Sequence, residues 1–309
     1  MAFDYMVFFY AAPGLAILVV AESIELLKEH RFGKGKNDMF ASLFIGIVAV
    51  AVATTTKGVN LLVYDWIYQF RLFNVPSGAW WVWVICFFAD DHSYYWFHRC
   101  GHHVRFFWAS HIVHHSPQTF TLTTALRLPW TSHLTGNFLF WGWMPLLGLS
   151  PAMIVTMKAA STVYQLWLHT EKIKKLPWWF EAFFNTPSHH RVHHGTDAEH
   201  LDKNIGGTLI IWDRLFGTFC KETYRPKYGL TKNINSCNPF VLEFSEWGNL
   251  ISDLKKARSL HDCINFLFNS PGWTNDCKEK PRKIVETKEK ECGNSTMANP
   301  VAGTSASLL

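Results

Sequence analysis

The stretch that decides the fold is "HRCGHHVRFFWASHIVHHSPQ", residues 98–118. Six histidines stand in its first eighteen residues, with aromatic and aliphatic residues between them. It closes an apolar run, "AWWVWVICFFADDHSYYWF" (79–97), interrupted only by Asp90 and Asp91. His98 and His102 are four apart, and His111, His114 and His115 have the form HxxHH. Residues three or four apart share one face of a helix, so each cluster presents its imidazoles side by side. The same form returns at His190, His193 and His194, with His189 just before. Neutral imidazole is the commonest nitrogen ligand of transition metals. Eight convergent imidazoles exceed what one tetrahedral zinc uses, so the count suits two metals. Without ligation, so many buried polar rings would leave costly unsatisfied groups.

Of 16 histidines, 14 fall between His92 and His200, which concentrates the chemistry in the middle of the 309-residue chain. His30, His92, His133, His200 and His261 stand outside the spaced clusters and read as ordinary packed or capping residues. Charged residues make up only 17%, against about 25% in a soluble domain, and 15 Trp are present. That composition indicates a membrane protein. A net charge of +5 spread along the chain, with no basic block, excludes a nucleic-acid partner. Seven cysteines without a CxxC argue for reduced thiols facing the cytosol rather than a disulfide framework.

Four apolar regions predict an all-α, multi-span transmembrane bundle of about four spans under a cytosolic histidine-rich helical cap. The first is 5–21, read as a retained span without a cleavage site. The second is 39–56, the third 79–97, and the fourth 138–168, read as two half-length segments hinged at Pro151. The aromatic run 61–75 predicts a separate helix in the membrane interface. The loop 26–37 carries Lys28, Arg31, Lys34 and Lys36 and is therefore expected in the cytoplasm. The third span then delivers every histidine cluster to the cytoplasmic face of a multi-pass protein. The domain reading is 1–78, N-terminal transmembrane and interfacial helices; 79–235, the metal-bearing domain; 236–274, an amphipathic C-terminal segment with one helix over 253–268; and 275–309, a polar tail expected to be disordered.

Asp91 lies seven residues before His98, about 20° away around a helix, where a carboxylate would orient a ligand's second ring nitrogen. Asp202 and Asp213 are candidates for the same task. Trp80, Trp81, Trp83, Phe140, Trp141 and Trp143 would line a lipid path or form an interfacial belt.

In this order and context, HxxxH, HxxHH and HxxHH resemble the boxes of the fatty acid hydroxylase/sterol desaturase superfamily, and most closely its alkylglycerol monooxygenase-like branch. The stretches carrying the resemblance are "DHSYYWFHRCGH" (91–102), "HIVHHS" (111–116), "TALR" (124–127), "LWLHTEKI" (166–173), "NTPSHHRVHHG" (185–195), "DKNIGGTLIIWDRLFGTF" (202–219) and "YGLT" (228–231). The resemblance covers about residues 40–235. It implies two iron ions, O2 as co-substrate and a lipid substrate that is hydroxylated, desaturated or oxidatively cleaved, an alkylglycerol ether lipid among them. Carried across residue by residue, it assigns His98 and His102 to the first box, His111, His114 and His115 to the second, and His190, His193 and His194 to the third. His169 matches a further histidine between the boxes, and Gln165, one turn earlier, a position that can carry a ligand or a supporting donor. The branch places Glu after the second histidine of the first box, where this chain has His103. Tetrahydrobiopterin and an electron-donor protein therefore both stand as reductants. A metal transporter, which also uses intramembrane histidines, is the competing class.

Overall fold

The computed structural model describes residues 13–14, 16–25, 28 and 35–274. His30, most of the first expected span and of the basic loop, and the tail 275–309 lie outside the described residues. Among the described residues the regular structure is helical, joined by two isolated β-bridges, Phe184–Leu209 and Gly195–Tyr228.

Helix α1 spans Gly35–Tyr68. Within it, residues Asn37–Tyr68 form the one described helix long and apolar enough to cross a membrane, with a mean hydropathy of 2.0. At 1.5 Å per residue its 34 residues reach about 51 Å, more than a bilayer's hydrocarbon core. The separate interfacial helix expected over 61–75 is corrected: no Gly or Pro interrupts 59–68, so the second span continues to Tyr68 and ends before Pro76. One face of α1 packs inward through Ala41, Ile45, Ala49 and Tyr64. Phe40, Ile47, Leu62 and Trp66 on other faces are exposed.

Helix α2, Trp80–His103, carries the third apolar stretch straight into the first histidines. Its Asp90 and Asp91 are each 1% exposed, so the acids that break the apolar run face the interior rather than the surroundings. Asp90 accepts a 2.7 Å hydrogen bond from Trp141 Nε1. Val82, Cys86, Trp141, Met144 and Ile154 pack with Tyr64 in the largest apolar cluster.

The fourth apolar region is not a pair of half-length helices. Residues 130–146 form two 3₁₀ turns, Trp130–Leu134 and Asn137–Trp141, and a single turn, Trp143–Leu146. Only the second half is a true helix, α4, Pro151–Leu166, capped by the Ser150 side chain with Pro151 opening the first turn. Gly136, Gly142 and Gly148 divide the first half. Gly148 has φ +92°, and a Cβ there would stand 2.2 Å from the Phe73 carbonyl oxygen.

Helix α3, Arg105–His115, follows α2 after a break at Val104, whose extended backbone (φ −115°, ψ 115°) turns the chain back. Short helices α5, Pro187–His193, and α6, Ile211–Phe216, sit in the irregular segment beyond α4. The helix expected over 253–268 is instead divided. Helix α7, Pro239–Leu254, ends there, and α8, Leu260–Phe268, restarts behind a Ser259 cap. Leu250 and Phe266 from these two helices close over Ala109 of α3. The Arg105 guanidinium holds Glu246 at 2.9 Å and Asp253 at 2.8 Å.

Gly148→Ala is expected to cost about 2 kcal/mol or more, because the left-handed backbone and the Phe73 oxygen both oppose a side chain. Gly248, inside α7, has open space around it, so Gly248→Ala should leave stability unchanged or raise it by about 0.5–1 kcal/mol. Thermal melts in detergent compare the two; equal midpoints would refute the assigned constraint.

Candidate metal centre

The turn at Val104 folds α3 against the end of α2, so the first and second histidine clusters face each other. Helix α5 brings the third, and the turn after α4 supplies His169. Nine imidazoles meet in two adjoining groups. His98, His102, His111, His115 and His193 form the first; His114, His169, His190 and His194 form the second. Within each group the ligand-capable nitrogens lie within 4.8 Å of one another. The motifs interleave. His111 and His115, four apart, enter the first group, while His114 between them enters the second. In α5 the order is reversed: His190 and His194, four apart, enter the second group and His193 the first. His115 and His194 stack across the boundary, with ring centroids 4.4 Å apart.

The outer ring nitrogens fix the tautomers. His98 Nδ1 donates to the Ile205 carbonyl at 2.7 Å and His193 Nδ1 to the Lys203 carbonyl at 3.0 Å. His114 Nδ1 donates to the Arg127 carbonyl at 3.2 Å and His169 Nδ1 to the Gln165 carbonyl at 3.1 Å. A carbonyl only accepts, so each of these Nδ1 atoms carries the proton and each neutral Nε2 carries a lone pair. Yet His114 Nε2 and His169 Nε2 stand 3.2 Å apart. Two acceptors cannot hydrogen-bond to each other. In the first group, the buried Nε2 atoms of His102 and His193 have no hydrogen-bond partner. These inward lone pairs fit metal cations in an all-nitrogen donor set.

Electrostatics keep eight of the nine rings neutral. Burial, followed by the neighbouring imidazoles, holds His98, His111, His115, His190 and His194 well below the ordinary imidazole range. Burial leads likewise at His193 and His169. It lowers His114 to about 4. A neutral imidazole is the form that binds metal.

Of the expected supporting residues, Asp202 is placed beside the site, its carboxylate 3.4 Å from His102 Nδ1. Asp91 is corrected. It turns away from the histidines and accepts from Thr208 N, Leu209 N and Trp212 Nε1 at 2.7, 3.0 and 2.9 Å. Gln165 is corrected too: its side-chain amide donates to Ser161, and only its backbone carbonyl serves His169. Asp213 acts one step further out, accepting from Ile205 N and Gly206 N at 2.7 Å each, which fixes the carbonyl that holds His98. His189 is buried against Phe219 and lies outside both groups, as do His103, His133, His200 and His261. His92 accepts from Trp96 Nε1 at 3.1 Å. Trp80 and Trp81 are exposed, Trp141 is buried on Asp90, and Phe140 and Trp143 line a cleft of about 390 Å³ with His92, Ser93 and Trp96.

Sequence reasoning missed two devices. One is the backbone of the strap 202–206, whose Lys203 and Ile205 carbonyls serve His193 and His98 beside the expected Asp202. Asn204, at φ 51°, holds its bend by donating to the His189 and Cys220 carbonyls at 3.0 and 2.8 Å. The other is a pair of buried arginines. Arg191 of α5 grips Glu222 at 2.6 Å and the carbonyls of Thr170, Ile173 and Lys174 at 2.6–3.0 Å, tying α5 to the turn that carries His169. The second of the pair is Arg127, buried beside the end of α3.

Residues 83–218 match the fatty acid hydroxylase family. Among curated proteins it is similar to the alkylglycerol monooxygenases of Danio rerio and Homo sapiens. It is 36% identical to the first over 240 residues and to the second over 239, in each case 77% of this chain and 53% of the relative. The chain thus spans about half the length of these relatives. The ornithine lipid hydroxylase OlsE of Rhizobium tropici is 30% identical over 125 residues, 40% of this chain and 37% of that protein. No solved structure matches the chain.

Because the folded state keeps these imidazoles unprotonated while the unfolded chain titrates near 6.5, the unfolded state binds more protons between about 6.5 and about 4. Metal-free protein should therefore lose stability as pH falls through that window. A thermal midpoint that stays constant from about pH 7 to about pH 4.5 would contradict the neutral-cluster geometry.

Proposed function

We propose that the protein is a membrane-bound di-iron oxygenase that uses O2 to hydroxylate a lipid, with an alkylglycerol ether lipid as its substrate. The observation that carries this reading is the pair of adjoining all-imidazole groups with converging lone pairs. The fatty acid hydroxylase match over 83–218 and the monooxygenase and hydroxylase relatives support it. The nine histidines are the proposed ligands: His98, His102, His111, His115 and His193 for one iron, and His114, His169, His190 and His194 for the other. Residues 79–235 form the proposed catalytic domain, and 1–78 the membrane helices that bring lipid to it.

Iron held there would supply O2 activation and the removal of hydrogen from an unactivated C–H bond. The chain's own residues hold the donor nitrogens in place, keep the rings neutral and exclude water from a buried centre. Phe120 stacks on Tyr228, with its ring 5.2 Å from that of His194, and closes the second group. His111, from the first group, is the one of the nine that is only half-buried. Hydroxylation of the carbon beside an ether oxygen gives a hemiacetal, whose collapse releases an alcohol and an aldehyde. Plain hydroxylation of a lipid chain shares the same first step. The apolar surface of α1 and α2, including Ile47, Leu62, Trp80 and Ile85, suits a lipid surround.

Purified protein should contain two irons per chain and consume O2 with an alkylglycerol and a reductant, releasing aldehyde. His111→Ala, His114→Ala and His194→Ala should each lower metal content and cut turnover beyond the roughly 10- to 100-fold loss of outer-shell changes. His133→Ala and His261→Ala should retain both. Near-normal turnover in any of the first three would refute the ligand set. Absence of O2 uptake by iron-loaded protein across lipid classes would refute the oxygenase.

The proposed topology is multi-pass, with the metal centre and residues 170–309 on the cytoplasmic side. Cys237, partly exposed, reports on it. An impermeant thiol reagent should label Cys237 only after the cytoplasmic face is opened, and labelling from the outer side alone would overturn the orientation.

A further inference from the structure

We propose that Arg127 is a positioning residue for the second histidine group, locking helix α1 to His114 so that the second metal binds only while that lock holds. The inference rests on the di-metal reading above. The Arg127 side chain is 0% exposed, and its guanidinium joins two helices. Nε donates to Ser42 Oγ of α1 at 3.1 Å, and Nη2 to Asp38 Oδ1 and the Asp38 carbonyl of α1 at 2.5 and 2.7 Å. Nη1 donates to Ser116 Oγ, at the end of α3, at 2.9 Å. The Ser116 hydroxyl donates in turn to the Val113 carbonyl, beside His114, at 2.6 Å.

The main chain of the same residue completes the lock. The Arg127 carbonyl is the acceptor of His114 Nδ1–H at 3.2 Å. Its backbone (φ −78°, ψ 64°) turns out of a short 3₁₀ helix, Leu122–Leu126, with Arg127 N donating to the Thr124 carbonyl at 3.0 Å. Helix α1 lies directly on this turn: a Cβ at Gly46 would stand 2.7 Å from the Leu126 carbonyl oxygen. The carbonyl that fixes the His114 tautomer is thus held by a side chain whose partners are on α1 and at the end of α3. The planar fork of five donors is what permits this; a lysine ammonium is a compact point of charge that cannot span the same partners.

The first group has different outer supports, namely Asp202 and the carbonyls of Lys203 and Ile205. Loss of the Arg127 fork should therefore act on one metal and spare the other, which a general loss of folding would not do.

The test is metal binding by metal-free, full-length protein in detergent, titrated with Co²⁺ and counted by elemental analysis after desalting. Unaltered protein should hold two ions. Arg127→Lys should hold one with unaltered affinity and bind the second about 10- to 100-fold more weakly. Asp202→Ala should weaken an ion in a protein whose second group is intact, so that combining it with Arg127→Lys lowers both. If Arg127→Lys does not fold, Asp38→Asn, which keeps the buried cation and removes one acceptor charge, should show the same selective loss. Two ions at unaltered affinity in the folded variant, or equal weakening of both, overturns the assignment to Arg127. Unaltered protein that holds no ion overturns the di-metal reading and this inference together.

Discussion

Nine imidazoles whose inner nitrogens point at one another cannot hold themselves together. Four of them have their protons committed outward, to the carbonyls of Ile205, Lys203, Arg127 and Gln165. Lone pairs therefore meet, His114 against His169 at 3.2 Å, where burial gives no water to relieve them. The rest of the fold keeps this unfavourable contact in place. The Val104 break reverses α2 into α3, Thr186 caps α5, and Asp91 and Asp213 accept four backbone N–H groups of residues 205–209. Gly206 and Gly207 admit those carboxylates. A Cβ at Gly206 would stand 2.8 Å from Asp213 Oδ2, and one at Gly207 2.6 Å from the Tyr94 ring. A preorganised set of inward lone pairs of this kind is what a metal cation requires.

The two groups are built from the same three clusters but rest on different parts of the molecule. HxxHH on a helix supplies an i, i+4 pair to one group and the remaining histidine to the other, so both groups draw on the same helices. Behind them the supports separate. The first group leans on the strap 202–206, held by Asn204 and Asp213. The second leans on the carbonyls of Arg127 and Gln165, with Arg191 fixing α5 to the turn after α4. Helix α1, the candidate membrane span, reaches the centre through Arg127, and the segment before it through Glu22, which accepts from Leu122 N and Thr170 Oγ1 at 2.5 and 2.8 Å.

The histidine spacings were legible because helical periodicity is local: residues four apart share a face wherever the helix sits. The same rule failed for Asp91. A seven-residue spacing puts it near the His98 face, but Asp91 lies nearly two turns earlier along the axis, where the backbone of residues 208–209 offers N–H donors instead. Gln165 was picked out as a polar side chain, yet the group that serves His169 is its carbonyl, which any residue possesses. For that reason the Lys203 and Ile205 carbonyls left no trace in the sequence. The run 61–75 was divided from the second span by its aromatic composition, although nothing in its backbone chemistry ends a helix before Tyr68. The close packing of Gly148 against the Phe73 carbonyl is a tertiary contact, which local periodicity does not report.

Charge balance sets the final constraint on the centre. An imidazole binds metal in its neutral form, so an all-histidine centre offers little to offset the charge of a bound cation. The nearest support is Asp202, 3.4 Å from His102 and facing its outer nitrogen. The two buried arginines behind the second group would add to the imbalance if left alone, but each has its own carboxylate, Asp38 for Arg127 and Glu222 for Arg191. Removing either carboxylate would leave a buried guanidinium uncompensated, at a cost of about 3–5 kcal/mol, and would place its field on imidazoles that must stay unprotonated. Each arginine can brace the centre because its charge is met by its own carboxylate, which leaves its other donors for the chain beside a histidine: Ser116 at the end of α3 for Arg127, and the carbonyls of Thr170, Ile173 and Lys174, in the turn after His169, for Arg191.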